Sequence, residues 1–192
     1  MLSRVLVALA FAMVMCGQIE AADCEAFKDL QPKDLVVFLR TSAHAADPQC
    51  VTDAIIRLGD SRPKERGSIE LLISLLDFRR PETEAERMHV SSNRDWFPAV
   101  SALVGAGKPA VEPLIERLKT NEMTETARQN GIRALLYIHS GDPPQAVDAL
   151  MKAAKAATSQ VEAVALETTA RDAAKQCAKS VRNRCEAVLN QR

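Results

Sequence analysis

The chain has 192 residues, enough for one domain, and 47% hydrophobic residues supply a buried core and argue against wholesale disorder. Aromatic residues make up only 4%, while alanine and leucine dominate, which disfavours a β-sandwich or barrel and favours helix. With 25 basic and 25 acidic residues the net charge is zero, so no basic excess exists to neutralise nucleic-acid phosphates or to hold an anionic membrane.

In chain order, the first segment reads as a targeting signal. Arg4 gives a positive start, residues 5–15 are wholly apolar, and small residues follow at Ala21 and Ala22. About eleven apolar residues is the length of a signal-peptide core, whereas a spanning helix needs roughly twenty. Cleavage is expected near Asp23, although Glu20 or Ile19 at the minus-three position meets the small-x-small rule only half way. A lipoprotein would use Cys16, but Met15 stands where a small residue is required. An uncleaved anchor is the remaining alternative. The signal reading predicts an exported protein, periplasmic or extracellular, with residues 1–22 removed and no integral membrane segment in residues 23–192.

Export changes how the cysteines read. Losing the signal leaves Cys24, Cys50, Cys177 and Cys185. Four thiols in an oxidising compartment suggest two disulfides, with three connectivities open. Position favours Cys24 with Cys50 and Cys177 with Cys185. Eight residues of continuous helix would hold two Cα atoms about 12 Å apart, beyond the roughly 7 Å a disulfide tolerates. The second pair therefore needs a turn between its members, and residues 180–183 are the candidate. No Cys-x-x-Cys pair exists, which disfavours zinc.

Residues 23–46 carry Leu30, Leu35, Phe38 and Leu39 and are expected to cap the domain. A repeat follows. Ile69, Leu72, Ile73 and Leu76 are apolar at i, i+3, i+4 and i+7, as are Val111, Leu114, Ile115 and Leu118, then Val147, Leu150, Met151 and Ala154. Each set is one stripe on a helix of 3.6-residue period. A leading helix precedes each: Val51, Ala54, Ile55, Leu58; Trp96, Ala99, Val100, Leu103; Gly131, Ala134, Leu135, Ile138. Gly59, Gly105 and Gly141 read as breakers ending these helices. Asp47-Pro48 reads as an N-cap with proline in the first turn, where its missing donor costs nothing. Pro113 implies that its helix begins late or bends. Hairpins are expected over about 47–78, 95–120 and 122–156.

Ser159-x-x-Glu162 has the form of a capping box and opens the C-terminal helices, expected over 159–190. Val161, Val164, Ala165 and Thr168 give the first of these a weak face; Val181, Cys185, Val188 and Leu189 give the second another. Between the first two hairpins, residues 79–95 are polar and long, which suits a solvated linker, an extra short helix or a functional loop.

The helix–turn–helix unit of about 36 to 45 residues resembles the HEAT-like repeat family. The closest stretch is residues 99–118, AVSALVGAGKPAVEPLIERL: an apolar helix, a glycine-containing turn, Pro-Ala-Val and a leucine-rich second helix. Residues 131–150 and 54–76 follow less closely. The resemblance spans roughly half the chain. It implies an all-α fold, a short right-handed α-solenoid of stacked antiparallel hairpins, and it is silent on activity because the family pattern encodes packing.

Chemistry is sparse. His44, His89 and His139 have no second histidine at ligand spacing. No nucleophile elbow or phosphate loop occurs. Gly105-Ala106-Gly107-Lys108 lacks the preceding strand that a phosphate loop needs, and Glu82, Glu84 and Glu86 read as solvated charges. No catalytic, metal or cofactor residue is expected, and no enzyme activity. The leading expectation is a binding module for a protein or peptide, through polar positions of the trailing helices: Glu70, Ser74, Asp77, Glu112, Glu116, Lys119, Asp148 and Lys152. The alternatives are a self-associating structural component of the cell envelope and, further off, an enzyme or lyase of the HEAT-like class. Trp96, in its stripe, is expected in the core.

Overall fold

The computed structural model describes residues 30–43, 45–82, 96–120 and 122–190. The expected signal segment, Cys16, Cys24, His44, Glu84, Glu86 and His89 lie outside these residues. Among the described residues the protein is all-helical, with no strand. The helices are α1 (Pro32–Ser42), α2 (Pro48–Asp60), α3 (Arg66–Ser74), α4 (Pro98–Ala106), α5 (Val111–Leu118), α6 (Glu125–Ile138), α7 (Pro144–Ala156), α8 (Gln160–Gln176) and α9 (Arg182–Leu189).

The ends of these helices follow local chemistry. Proline opens α1, α2, α4 and α7. Asp47 caps α2 by accepting from the Gln49 N–H at 2.7 Å. Thr124 accepts from Ala127 at 3.1 Å to start α6, and Ser159 accepts from Glu162 at 3.2 Å to start α8. Each satisfies a backbone donor that the first turn leaves orphaned. A 3₁₀ turn at Lys108–Ala110 delays α5 until Val111, so the buried Pro113 sits in its first turn and breaks no bond.

Of the three glycines read as breakers, Gly141 lies in the turn after α6 as expected, and the other two act differently. Gly59 and Gly105 lie inside the last turns of α2 and α4. A Cβ on Gly59 would stand 2.7 Å from both Cα and Cβ of Ala102, and one on Gly105 would stand 3.2 Å from the Gly59 carbonyl oxygen. They let α2 and α4 touch backbone to backbone. The residue that stops α4 is Gly107, at φ 69°, a conformation costly for any residue with a Cβ.

The stripes bury as a set. Val51, Ala54, Ile55 and Leu58, then Ile69, Leu72, Ile73 and Leu76, then Leu114, Ile115 and Leu118, then Ala134 and Leu135, then Val147 and Leu150 join one continuous core. Helix α2 packs on α4, and α4 on α6; alongside, α3 packs on α5, and α5 on α8. Helix α1 rests on α2 and α3 at one end, and α9 rests on α7 and α8 at the other.

Three expectations need correction. None of the three hairpins closes by an extended contact between its own helices, since α2 and α3, α4 and α5, and α6 and α7 all lack one, and α7 buries Ala146, Val147, Leu150 and Ala154 mainly against α8. Helix α8 turns inward the face Leu166, Thr169, Ala170, Ala173 and Ala174, not Val161, Val164, Ala165 and Thr168. Alanines let two helices approach closely, so a small-residue face can win the core over a bulkier one. Trp96 precedes α4 and is half-buried. Its ring carries the guanidinium carbons of Arg79 at 4.6 Å and Arg80 at 5.5 Å, a cation–π arrangement. Its carbonyl accepts from the Arg80 N–H at 3.1 Å, which clamps the two flanks of residues 81–95 together.

Candidate functional site

Helix α8 is amphipathic twice over. Its inward face is consumed by α7 and the core, and its second apolar stripe is left in water: Val161 is 66% exposed and Val164 50%. These valines form one wall of a groove of about 530 Å³. Leu118 and Thr120 at the end of α5, Met123 ahead of α6, and Ala165 and Thr168 on α8 complete it. The groove exists because α5 is short. It stops at Leu118, and the groove runs beside residues 160–169 of α8, whose outer face is left exposed.

A polar clasp fixes the groove's far end. Arg128 on α6 reaches Asp172 on α8 at 3.0 Å, and Gln176 donates to Gln129 at 2.6 Å. Arg128 also holds Glu125 at 3.0 Å. That bond raises the Arg128 pKa first, burial opposes it, and Asp172 adds to the rise. Hydrogen bonds from Arg128 and Gln129 in turn lower the pKa of Glu125. Beyond the clasp a second hollow, about 600 Å³, opens between the C-terminal half of α6 and the end of α8, with Leu136, Tyr137 and Pro143 in its lining.

The residues expected to form the interaction surface divide. Glu70 pairs with Arg66 at 2.7 Å, and the field of Glu112 and Glu116 across on α5 further raises the Arg66 pKa after Glu70 itself. Glu116 pairs with Lys119 at 2.7 Å; that bond raises the Lys119 pKa first, and Glu162 on α8 contributes. Asp77 accepts from the Thr124 hydroxyl at 3.3 Å. These residues therefore share one flank, running from α3 over α5 to the rim of the α8 groove. Ser74 spends its hydroxyl on the Leu71 carbonyl of its own helix at 2.7 Å. Asp148 and Lys152 pair with each other at 2.7 Å on α7, which makes no extended contact with α3 or α5.

Reading the sequence missed Val161, Val164, Met123 and Glu162 as surface-site residues. A signal was present: the weakness of the Val161 stripe beside a continuous alanine stripe on the same helix. Of the cysteines, Cys177 and Cys185 form a disulfide with Cα atoms 6.7 Å apart. The turn that permits it spans residues 177–181, overlapping the expected 180–183. Cys50 is also disulfide-bonded, and the pairing expected for it, with Cys24, falls partly outside the described residues.

No protein-family model, curated protein or solved structure matches this chain. Among the described residues no group of three His, Cys, Asp or Glu gathers where a metal could sit. Nor is any described helix long and apolar enough to cross a membrane.

Proposed function

We propose that the protein is an exported interaction module, a short HEAT-like stack of helical hairpins that offers the α8 groove to a protein or peptide partner and catalyses no reaction. Export is inferred from the apolar run at residues 5–15, and the stacked architecture from the two helix rows, α2–α4–α6 and α3–α5–α8. The observation that carries the binding role is the exposed pair Val161 and Val164 beside Leu118 and Met123. Covering the exposed part of each valine, half to two-thirds of the side chain, releases about 1 kcal/mol, and this free energy is available only to a partner. The groove is also of a size that accepts a few side chains of a docked segment.

The test is recovery of partners from the exported fraction with tagged wild-type protein and with a Val161→Ser/Val164→Ser double variant. Both positions are solvent-facing, so the variant should melt within about 4 °C of wild type, as two surface changes of about 0.5 kcal/mol each allow. A foreign protein that is retained by wild type and lost by the variant is the expected result. Recovery of the chain's own copies alone would replace the binding module with a self-associating structural component.

A further inference from the structure

We propose that the occupant of the α8 groove is a basic amphipathic segment of a partner protein, one that inserts aliphatic side chains between Val161, Val164, Leu118 and Met123 and aligns lysines or arginines with the acidic rim. The proposal rests on the reading of the groove as a protein-docking site and adds the chemistry of what docks.

Charge complementarity selects the partner. Four cations along this flank are engaged within the chain, and Lys108, at the turn before α5, is the exposed exception. Arg66 is held by Glu70, Lys119 by Glu116 and Arg117 by Glu122 at 2.6 Å; Arg128 is held by Glu125 and Asp172 together. Three carboxylates are left over. Glu162 adjoins Val161 on the groove wall, Glu112 faces outward from α5, and Asp77 accepts only a hydroxyl; none has a cation among the described ion pairs. The one charged residue in the groove lining, Arg128, is held by two carboxylates, Glu162 stands beside Val161 at the groove's edge, and Asp77 and Glu112 lie farther along the same flank, so the charge left near the slot is negative. A concave, low-dielectric wall concentrates that field and attracts cations. An acidic or purely apolar segment would leave these carboxylates either repelled or desolvated without a partner, which is costly. The slot runs along α8 for about three turns, the reach of a helix that anchors through i, i+3, i+4 and i+7 side chains.

Two synthetic helical peptides test this against the full exported chain: one with leucines at i, i+3, i+4 and i+7 and lysines elsewhere, the other with the lysines replaced by glutamates. Fluorescence anisotropy should give the lysine peptide at least about tenfold tighter binding. Its affinity should fall several-fold between about 50 and about 500 mM salt, as screening requires. The Val161→Ser/Val164→Ser variant should weaken it about fivefold or more, and Glu162→Gln should flatten its salt dependence. Equal binding of the two peptides overturns the proposal. So does lysine-peptide binding that the serine variant leaves unchanged, which would be adsorption to charge alone. If neither peptide binds while the exported-fraction experiment still recovers a partner through Val161 and Val164, docking stands and the basic chemistry fails. Tighter binding to anionic lipid vesicles than to the lysine peptide would also overturn it, in favour of a membrane surface.

Discussion

Asn130 is fully buried, one of few polar side chains in the core, and it ties together residues far apart in sequence. Its Nδ2 donates to the Leu76 carbonyl at 2.7 Å, and its Oδ1 accepts from Arg133 at 2.8 Å. Leu76 follows α3, where carbonyls have lost their helical partners, so Asn130 satisfies a group that would otherwise be buried and unpaired. Asn130→Ala is expected to cost about 1–3 kcal/mol in chemical denaturation. Asn130→Asp is the sharper probe: it keeps an acceptor for Arg133 but turns an oxygen on the Leu76 carbonyl. It should be no more stable than the alanine variant; if it matches wild type, the Leu76 bond is not what holds α6 in place. The residue could have been noticed in the sequence, since it adjoins Gly131 on a face otherwise made of Ala127, Ala134 and Leu135, where a polar side chain demands a partner. Its partner could not, because nothing local encodes a contact across 54 positions.

Between helices, shape decides what hydrophobicity alone does not. The apolar stripes on α2, α3, α5 and α7 were legible because each helix has one good face, and periodicity locates it. On α8 two faces compete, and Ala170, Ala173 and Ala174 are buried while the valines stay exposed; the helix packed most extensively on α8 is α7, whose buried face also carries small residues, Ala146 and Ala154. That outcome depends on the partner helix and is invisible to a reading of α8 by itself. The same logic hid the role of Gly59, where the chain seemed merely to be ending a helix. Substituting alanine there should gain about 1 kcal/mol of helix propensity and lose more to overlap with Ala102, 2.7 Å from the new Cβ. Overpacking of this kind costs about 1–3 kcal/mol, so Gly59→Ala should lower stability on balance. Ala102→Gly in the same chain should restore part of the loss, because the overlap involves its Cβ as well as its Cα. A double-mutant cycle that shows no coupling between the two sites would mean α2 and α4 shift apart freely.

Over the whole molecule, each helix rests on its neighbours along the rows, and α9 is the last of them. It is eight residues long and buries a single residue, Cys185. An isolated helix of that length is unstable in water, so α9 owes its place to what holds it from outside. Three devices do so: the partial burial of Val188 and Leu189 against the core, the Cys177–Cys185 disulfide, both halves of which are buried, and an ion pair from Arg184 to Asp142 ahead of α7 at 2.7 Å. The ion pair is largely solvent-exposed and contributes at most about 1 kcal/mol. The disulfide closes a loop of about nine residues, and the loop-entropy relation gives about 2.5 kcal/mol for it. A Cys177→Ala/Cys185→Ala variant should therefore release α9 while the rest stays folded, since α9 makes no extended contact with α1 to α6. Hydrogen exchange would show it: amides of residues 182–189 should lose protection, those facing them on α7 and α8 should lose less, and those of α2 and α4 should stay as slow as in wild type. Uniform acceleration across all the helices would mean instead that the molecule unfolds as one unit, and that its last helix is a cornerstone of the core.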